Sequence, residues 1–330
     1  MKKRVALVTG GFTGESVVSF KSADFVESKI DRNKYEVYKI VILRDEWYYS
    51  DLNSVKHPVD KNDFSIQVEG GKINFELVFI MLHGSPGEDG KLQGYFDLLN
   101  IPYTSCNALT SSVTMNKAYS KAIVDGIEDL HIAKSVQLFD NVKPSTKLID
   151  SLAYPLFIKP NSGGSSIGMS KIKHADQLEN ALLQAFKEDS QVLVEEFIQG
   201  REFSIGVYQT KEGIKVLPCT EVIPSSDFFD FAAKYTPGAT EEITPGRMTE
   251  EEKSRVGRIV TAIFLKLNCK GMVRIDYFLQ DKTSNFYFVE INTIPGQTAQ
   301  SFIPQQVKAA GIEIDKFYED LMELALLAKT

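Results

Sequence analysis

Apolar residues along the first third of the chain fall into short runs separated by polar segments. Val5–Thr9 is followed by Gly10 and Gly11 and then by a helical pattern that continues to Val26. Two more apolar runs, Val37–Leu43 and Leu77–Leu82, read as strands. The order strand, glycine turn, helix and strand predicts an α/β unit with a parallel sheet. Its binding crevice would lie at the carboxyl ends of these strands.

The rest of the chain predicts two further units with shorter elements, so we expect three domains: residues 1–104, 105–198 and 199–330. The predicted elements of the second unit are strands at Tyr154–Pro160, Met169–Ile172 and Val192–Ile198 and a helix near Asp176–Lys187. Those of the third are strands at Glu202–Tyr208 and Lys215–Ile223, an irregular stretch at Ser225–Met248, a helix, a hairpin and a terminal helix. Thr249 and Glu252 form a capping box before the apolar stripe of that first helix.

Composition places the chain among globular proteins. It has 330 residues, 43% hydrophobic and 25% charged, with a formal charge of −7. The absence of a basic stripe argues against nucleic acid as a partner, and no apolar run approaches the ~18 residues of a membrane span. A small substrate and a cytoplasmic location are expected. Three widely spaced cysteines are typical of buried thiols and not of disulfides or a zinc site.

Two β-rich runs near residue 280 predict a hairpin that carries charge. If it is symmetric about Thr283, Asp276 faces Glu290 and Arg274 faces Asn292, with all four side chains on one face. Facing carboxylates repel unless a cation lies between them, and a set of hard oxygen ligands favours Mg²⁺ or Mn²⁺. The alternative is a hairpin face whose charges point into water. A one-residue register slip would break the constellation.

A glycine-rich segment, Lys159–Gly168, lacks the ending of a P-loop but suits backbone contacts to phosphates, with Lys159 as a point charge. The alternative is an ordinary Gly/Ser turn. Lys117 is by itself unremarkable.

Taken together, the motifs resemble the D-alanine–D-alanine ligases, in order and over nearly the whole chain. They are Gly10-Gly11 with Glu15, His83-Gly84 with Gly87–Gly90, Met115–Lys117, Lys159–Gly168, Ala233–Tyr235, Arg274–Asp276, and Glu290–Thr293 with Pro295-Gly296. The resemblance implies an ATP-grasp fold with an N-terminal Rossmann-like domain. It also implies ATP-dependent joining of two D-alanine molecules through a D-alanyl phosphate, for peptidoglycan precursors, by a homodimer.

The resemblance also implies residue roles. Asp276, Glu290 and Asn292 would hold two Mg²⁺ or Mn²⁺ ions, and Arg274 would stabilise the acyl phosphate. ATP contacts would come from Lys117, Lys159, Ser165, Ser166, Glu195, Glu196, Phe197, Ile198, Glu202 and Lys234. D-Alanine would be bound by Glu15, His83, Arg274, Gly296, Ser301 and Phe302.

Ser165 and Tyr235 would join Glu15 in closing the loop that carries Lys234, which would protect an acyl phosphate from water. A static surface loop is the alternative. A tyrosine at position 235 goes with D-alanine as acceptor in this family. Gln297 and Phe302 depart from the common pattern, which more often has Met or a small hydrophobe, and Leu.

Three alternatives stay open at this point. One is a related ATP-grasp ligase that uses D-lactate or D-serine as the acceptor. Another is a non-catalytic nucleotide-binding module. A Rossmann dinucleotide enzyme is disfavoured because Phe12 interrupts the Gly-x-Gly spacing.

Overall fold

A mixed sheet forms the N-terminal part of the computed structural model, which describes residues 2–142, 146–164, 167–224 and 240–327. Its strands are β1 (Lys3–Gly10), β2 (Tyr35–Ile42), β3 (Trp47–Ser50), β4 (Lys56–Asp60), β5 (Ser65–Val68), β6 (Gly71–Ile73) and β7 (Leu77–Ile80). The order is β6-β5-β4-β3-β2-β1-β7. Only β2, β1 and β7 run parallel, as predicted, whereas β3 to β6 extend the sheet with antiparallel pairs that the sequence did not reveal.

The parallel core is made by the most continuous apolar runs, because both faces of these strands are covered. Helix α1 (Ser16–Lys29) follows β1 after the glycine turn. Gly10 has a φ of +104°, and a Cβ there would lie 2.4 Å from the carbonyl oxygen of Ile42, so only glycine fits. Helix α2 (Lys91–Leu98) follows β7 after the loop from residue 83 to residue 90.

A second, antiparallel sheet has the order β11-β10-β12-β9. Its strands are β9 (Ser135–Phe139), β10 (Leu156–Pro160), β11 (Ser170–Ile172) and β12 (Gln191–Glu196). The helices of this region are α3 (Ala108–Met115), α4 (Lys117–Val124), α5 (Thr146–Ile149), a 3₁₀ turn (Ala175–Gln177) and α6 (Leu178–Ala185). A short strand between α4 and β9, β8 (Leu130–His131), pairs with the third sheet instead.

The third sheet contains the hairpin and has the order β16-β15-β13-β17-β18-β8, with β14 added beside β13. Its strands are β13 (Gly200–Thr210), β14 (Gly213–Val216), β15 (Thr220–Pro224), β16 (Thr240–Ile243), β17 (Met272–Gln280) and β18 (Phe286–Asn292). The prediction of one strand at Lys215–Ile223 was wrong. Pro218 lies between β14 and β15, where its missing N–H cannot continue a ladder.

Helix α7 (Glu250–Lys266) begins with the predicted capping box. Glu252 N donates to Thr249 Oγ1, and Thr249 N donates to Glu252 Oε2. Two helices end the described chain where one was expected, α8 (Phe302–Ala309) and α9 (Ile314–Leu327). Phe317 and Tyr318 of α9 are buried with Phe79 of β7 in one apolar core. The C-terminal helices therefore tie the third sheet to the first, and the domain boundaries at residues 104 and 198 stay a prediction.

All three cysteines are buried free thiols, as the sequence predicted. Within the described ranges we found no helix with the length and apolarity needed to cross a membrane.

Candidate active site

A cleft of about 980 Å³ opens where the three sheets meet. It gathers every sequence-predicted site residue that the structure describes. They are Glu15, His83, Lys117, Lys159, Glu195, Glu196, Phe197, Ile198, Glu202, Arg274, Asp276, Glu290, Asn292, Gly296, Ser301 and Phe302. Ser165, Ser166, Lys234 and Tyr235, with the predicted lid around them, lie outside the described residues.

The hairpin of β17 and β18 has the predicted register at its functional end. Arg274 pairs with Asn292 and Asp276 pairs with Glu290. A bulge directly after Asp276 shifts the pairing by one residue nearer the turn, where Tyr277 faces Phe288. The symmetry about Thr283 is therefore not maintained along the whole hairpin, but it holds at the four polar residues, which all line the cleft.

Protein cations neutralise both facing carboxylates. Arg274 donates from Nε to Asp276 Oδ1 at 3.0 Å and from Nη2 to Oδ2 at 2.8 Å. Ser204 Oγ, from the neighbouring strand β13, donates to the same Oδ1 at 2.5 Å. Lys117 Nζ lies 3.1 Å from Glu290 Oε2. Repulsion between the carboxylates is thus relieved without a metal, so the charge argument made from the sequence does not by itself demand one.

A buried polar network continues from Arg274 towards the N-terminal loops. With its amide oriented to satisfy both neighbours, Asn292 accepts from Arg274 Nη2 at 3.0 Å and donates to Glu88 Oε1 at 2.6 Å. Gly84 N donates to the other oxygen of Glu88 at 2.6 Å. Burial, and then the nearby charge of Glu15, raise the pKa of Glu88 to about 8. Burial disfavours the Arg274 cation, but the surrounding carboxylates, Asp276 foremost and then Glu290 and Glu88, together outweigh burial and raise the pKa of Arg274.

Three lysines crowd the end of the cleft beside the glycine loop. Lys159 Nζ lies 2.5 Å from Glu195 Oε2, and Lys121 Nζ forms an ion pair with Glu195 Oε1. Lys117 Nζ donates to the carbonyl oxygen of Gly163 in the glycine loop at 2.7 Å. Burial, and then the positive charge of Lys117, lower the pKa of Lys159 to about 8. Burial and the same like-charge crowding lower the pKa of Lys121 well below its usual value.

Glu15 lies where the N-terminal loops meet the glycine loop. A Cβ built on Gly84 would come within 2.8 Å of Glu15 Oε2, and one built on Gly164 within 2.7 Å of Oε1. The Glu15 carboxylate therefore lies directly against both loops, and Gly84, with a φ of +68°, also has a backbone conformation that favours glycine. This contact brings Glu15 beside the loop that carries its predicted partner Ser165.

His83 is buried, and burial lowers its pKa to about 4, so the ring is neutral near pH 7. Its Nε2 lies 3.1 Å from Ser22 Oγ. Ser22 Oγ also accepts from the backbone N–H of Gln297 at 3.2 Å. The donor and acceptor roles of Ser22 Oγ and His83 Nε2 depend on which ring nitrogen carries the proton.

The predicted acceptor residues surround a tight loop before α8. Ser301 Oγ accepts from Thr298 N at 3.0 Å and contacts Thr298 Oγ1 at 2.9 Å. A Cβ on Gly296 would lie 3.0 Å from Ser301 Oγ. The Phe302 ring centroid lies 5.6 Å from the guanidinium carbon of Arg274, within range of a cation–π contact. The unusual Phe302 thus packs against the predicted catalytic arginine.

The predicted ATP contacts at residues 195–198, where the adenine base is expected, span the end of β12 and the two residues after it. The backbone N–H groups of this segment are partly committed, because Glu196 N donates to Lys134 O at 2.9 Å and Phe197 N donates to Pro155 O at 3.0 Å. A base would therefore have to use other groups of this segment. The Glu195 carboxylate points to the lysines, a partnership that the sequence did not predict.

Sequence reasoning gave no role to several polar cleft residues, among them Lys121, Glu88 and Ser204. Lys121 could have been found, because it lies one helical turn after Lys117 on the same face. Glu88 stood inside a quoted motif but received no role. Ser204 had no signal, since its proximity to Asp276 arises from the pairing of distant strands.

The chain is similar in sequence and in structure to known proteins. Residues 4–106 match the family model described as D-ala D-ala ligase N-terminus, and residues 130–323 match D-ala D-ala ligase C-terminus. A D-alanine--D-alanine ligase from Azobacteroides pseudotrichonymphae is 42% identical over 323 residues, which cover 97% of this chain and 99% of that protein. One from Bacteroides fragilis is 41% identical over 324 residues, with 98% and 99% covered.

Among solved structures, the VanG D-Ala:D-Ser ligase from Enterococcus faecalis is similar with a TM-score of 0.87. It is 31% identical, with 98% of this chain and 100% of that chain covered. A D-alanine–D-alanine ligase from Bacillus anthracis complexed with ATP has a TM-score of 0.79 and 28% identity, with 99% and 98% covered. These structures confirm the predicted ATP-grasp architecture.

Proposed function

The chain belongs to the D-alanine–D-alanine ligase family, and on that premise we propose that its cleft joins two D-alanine molecules at the expense of ATP. The product is D-alanyl-D-alanine, a peptidoglycan precursor, and ADP and phosphate are released. The observation that carries the proposal is the convergence in one cleft of the oxygen-rich hairpin, Lys117 and Lys159, and the Glu15 loop. No one of these elements would be informative alone.

The reaction has two balanced steps. A carboxylate oxygen of the first D-alanine attacks the γ-phosphorus of ATP, and the bond to the ADP oxygen breaks. The amine nitrogen of the second D-alanine then attacks the acyl carbon, phosphate leaves, and the nitrogen loses a proton. Both steps develop negative charge that preorganised cations stabilise. Arg274, held in its orientation by Asp276, and Lys117 and Lys159 at the other side of the cleft supply those cations.

Asp276, Glu290 and Asn292 would hold divalent cations. They offer hard oxygen donors on neighbouring strands, which suits Mg²⁺ or Mn²⁺. In the described part of the chain no cluster of three or more His, Cys, Asp or Glu side chains is placed to hold a metal. Two carboxylates and an amide therefore fit an ion that takes its remaining ligands from nucleotide phosphates and water. Such ions would supply charge neutralisation at the two carboxylates, while Lys117, the present partner of Glu290, would turn to the phosphates.

The acceptor is proposed to be D-alanine. Relatives at 41–42% identity carry the name D-alanine--D-alanine ligase, whereas the D-Ala:D-Ser ligase is 31% identical. The tyrosine at position 235 supports the same choice through the family pattern. We further propose a cytoplasmic homodimer, which light scattering would test for the oligomeric state.

The function is tested by incubating the protein with ATP, Mg²⁺ and D-alanine and measuring phosphate and dipeptide together. Equal amounts of both are expected. Phosphate release only after addition of D-lactate or D-serine would overturn the acceptor assignment.

The variant Glu290→Gln tests the metal assignment, because it keeps the side-chain shape but removes one charge. Nucleotide binding should remain measurable while turnover is lost. Glu212→Gln is the matched control, since Glu212 lies on the surface with an 80% exposed side chain. An unchanged rate in Glu290→Gln would reject Glu290 as a metal ligand.

A further inference from the structure

Lys121 is a buried cation in the cleft that no step of the proposed mechanism uses. It lies on α4, four residues after Lys117, and its side chain is 5% exposed. Its Nζ forms an ion pair with Glu195 Oε1. A long charged side chain is rarely buried to this extent unless it has a specific partner.

Glu195 is shared between two lysines. Its side chain is 7% exposed, and its second oxygen lies 2.5 Å from Nζ of Lys159, the predicted phosphate ligand. A buried carboxylate that loses its partners is strongly unfavourable. Glu195 and an incoming phosphate would therefore compete for Lys159.

The second lysine resolves this competition. When Lys159 turns to a phosphate, Glu195 retains its bond to Lys121 and is not left unpaired. The Lys121 amine can donate a hydrogen bond to Glu195 in either protonation state, so the partnership survives the crowding of three lysines. Of the two lysines that pair with Glu195, only Lys159 would remain if Lys121 were removed. Glu195 would then keep Lys159 in its ion pair and away from the phosphate.

We propose that Lys121 is a positioning residue for nucleotide binding. It stays bound to Glu195 and thereby leaves Lys159 available to an anionic phosphate. The inference deepens the proposed function and rests on it, because it takes Lys159 as a phosphate ligand. The chemical class concerned is a nucleoside polyphosphate. Adenosine, which has no phosphate, should not depend on Lys121.

The test compares the affinities of ATP and adenosine by calorimetry on the full chain. Lys121→Met should weaken ATP binding by about ten- to hundredfold, the range expected for a lost hydrogen bond to a charged group. It should leave adenosine binding unchanged. Lys253→Met is the matched control, since Lys253 pairs with the exposed Glu250 on the solvent face of α7 and should alter neither affinity.

A second variant distinguishes the proposed positioning role from simple misfolding. Lys121→Met combined with Glu195→Gln removes both charges, so no carboxylate remains to hold Lys159. This double variant should recover most of the preference for ATP over adenosine. Equal losses for ATP and adenosine, or no rescue in the double variant, would overturn the positioning role. If the unaltered protein itself failed to bind ATP, the proposed function would be refuted. That outcome is distinguishable from a failure of the positioning role alone, in which the unaltered protein binds ATP.

Discussion

The polar pair formed by Gln297 and Tyr318 provides a quantitative test of how the acceptor loop is held. Both side chains have 0% exposure. Tyr318 OH donates to Gln297 Oε1 at 2.8 Å, and Gln297 Nε2 donates to Pro295 O at 3.3 Å. The pair joins the loop after Gly296 to helix α9. We predict that the two side chains are energetically coupled.

The magnitude follows from what each substitution leaves behind. Tyr318→Phe removes the donor to Gln297 Oε1, and an unsatisfied buried acceptor costs about 1–3 kcal/mol. Gln297→Met introduces the residue that is commoner in the family and has a similar volume. It leaves the buried Tyr318 hydroxyl without its hydrogen-bond acceptor, which costs about the same free energy as the loss in Tyr318→Phe. The double variant replaces both partners by apolar groups. It should therefore lose less than the sum of the single variants, by about 1 kcal/mol or more.

Urea denaturation of the four proteins, followed by circular dichroism, measures these differences in the free energy of unfolding. Tyr103→Phe is the matched control. Its hydroxyl donates to Asp97 at 2.8 Å in an exposed setting, where water replaces the lost partner, so the loss should be small. Additive losses, within about 0.3–0.5 kcal/mol, would refute the coupling and with it our account of why Gln297 is accommodated here.

Three further predictions concern separate features. Because the pKa of Lys159 is lowered to about 8, the charge of its side chain is lost as the pH rises through that value. The Kd for ADP should therefore rise over this pH range. In calorimetric titrations, Lys159→Met should abolish this pH dependence of the Kd. Gly87→Ala would place a Cβ 2.0 Å from Leu82 O and should lower the free energy of unfolding by about 1–3 kcal/mol or more. Gly257→Ala, which has open space around it on a helix, should raise the free energy of unfolding by about 0.5–1 kcal/mol. Urea denaturation of both variants measures these changes. Thr249→Ala should cost about 1 kcal/mol by losing the cap of α7, and Thr249→Ser should restore stability in the same measurement.

Much of the fold was accessible from the sequence because it depends on local signals, and the family resemblance supplied most of the predicted site residues that line the cleft. Periodic apolar residues predicted β1, β2, β7 and α7, and the alternation of side chains along two strands predicted that Asp276 faces Glu290. The antiparallel extension of the first sheet escaped notice. Its strands β3 to β6 are short, β3 is mostly half-buried and β4 is largely exposed, so neither of these two forms a continuous buried apolar run.

The sequence by itself determined which chemical groups this protein has and the order in which they occur, since hydrophobic period, turn residues and motif spacing are properties of neighbouring positions. Tertiary structure alone decided how charges are paired. Arg274 holds Asp276, Lys117 reaches Glu290, and Glu195 is shared by Lys121 and Lys159. Most of these pairs join segments far apart in the chain, and burial sets their strength, so no local pattern could have predicted them.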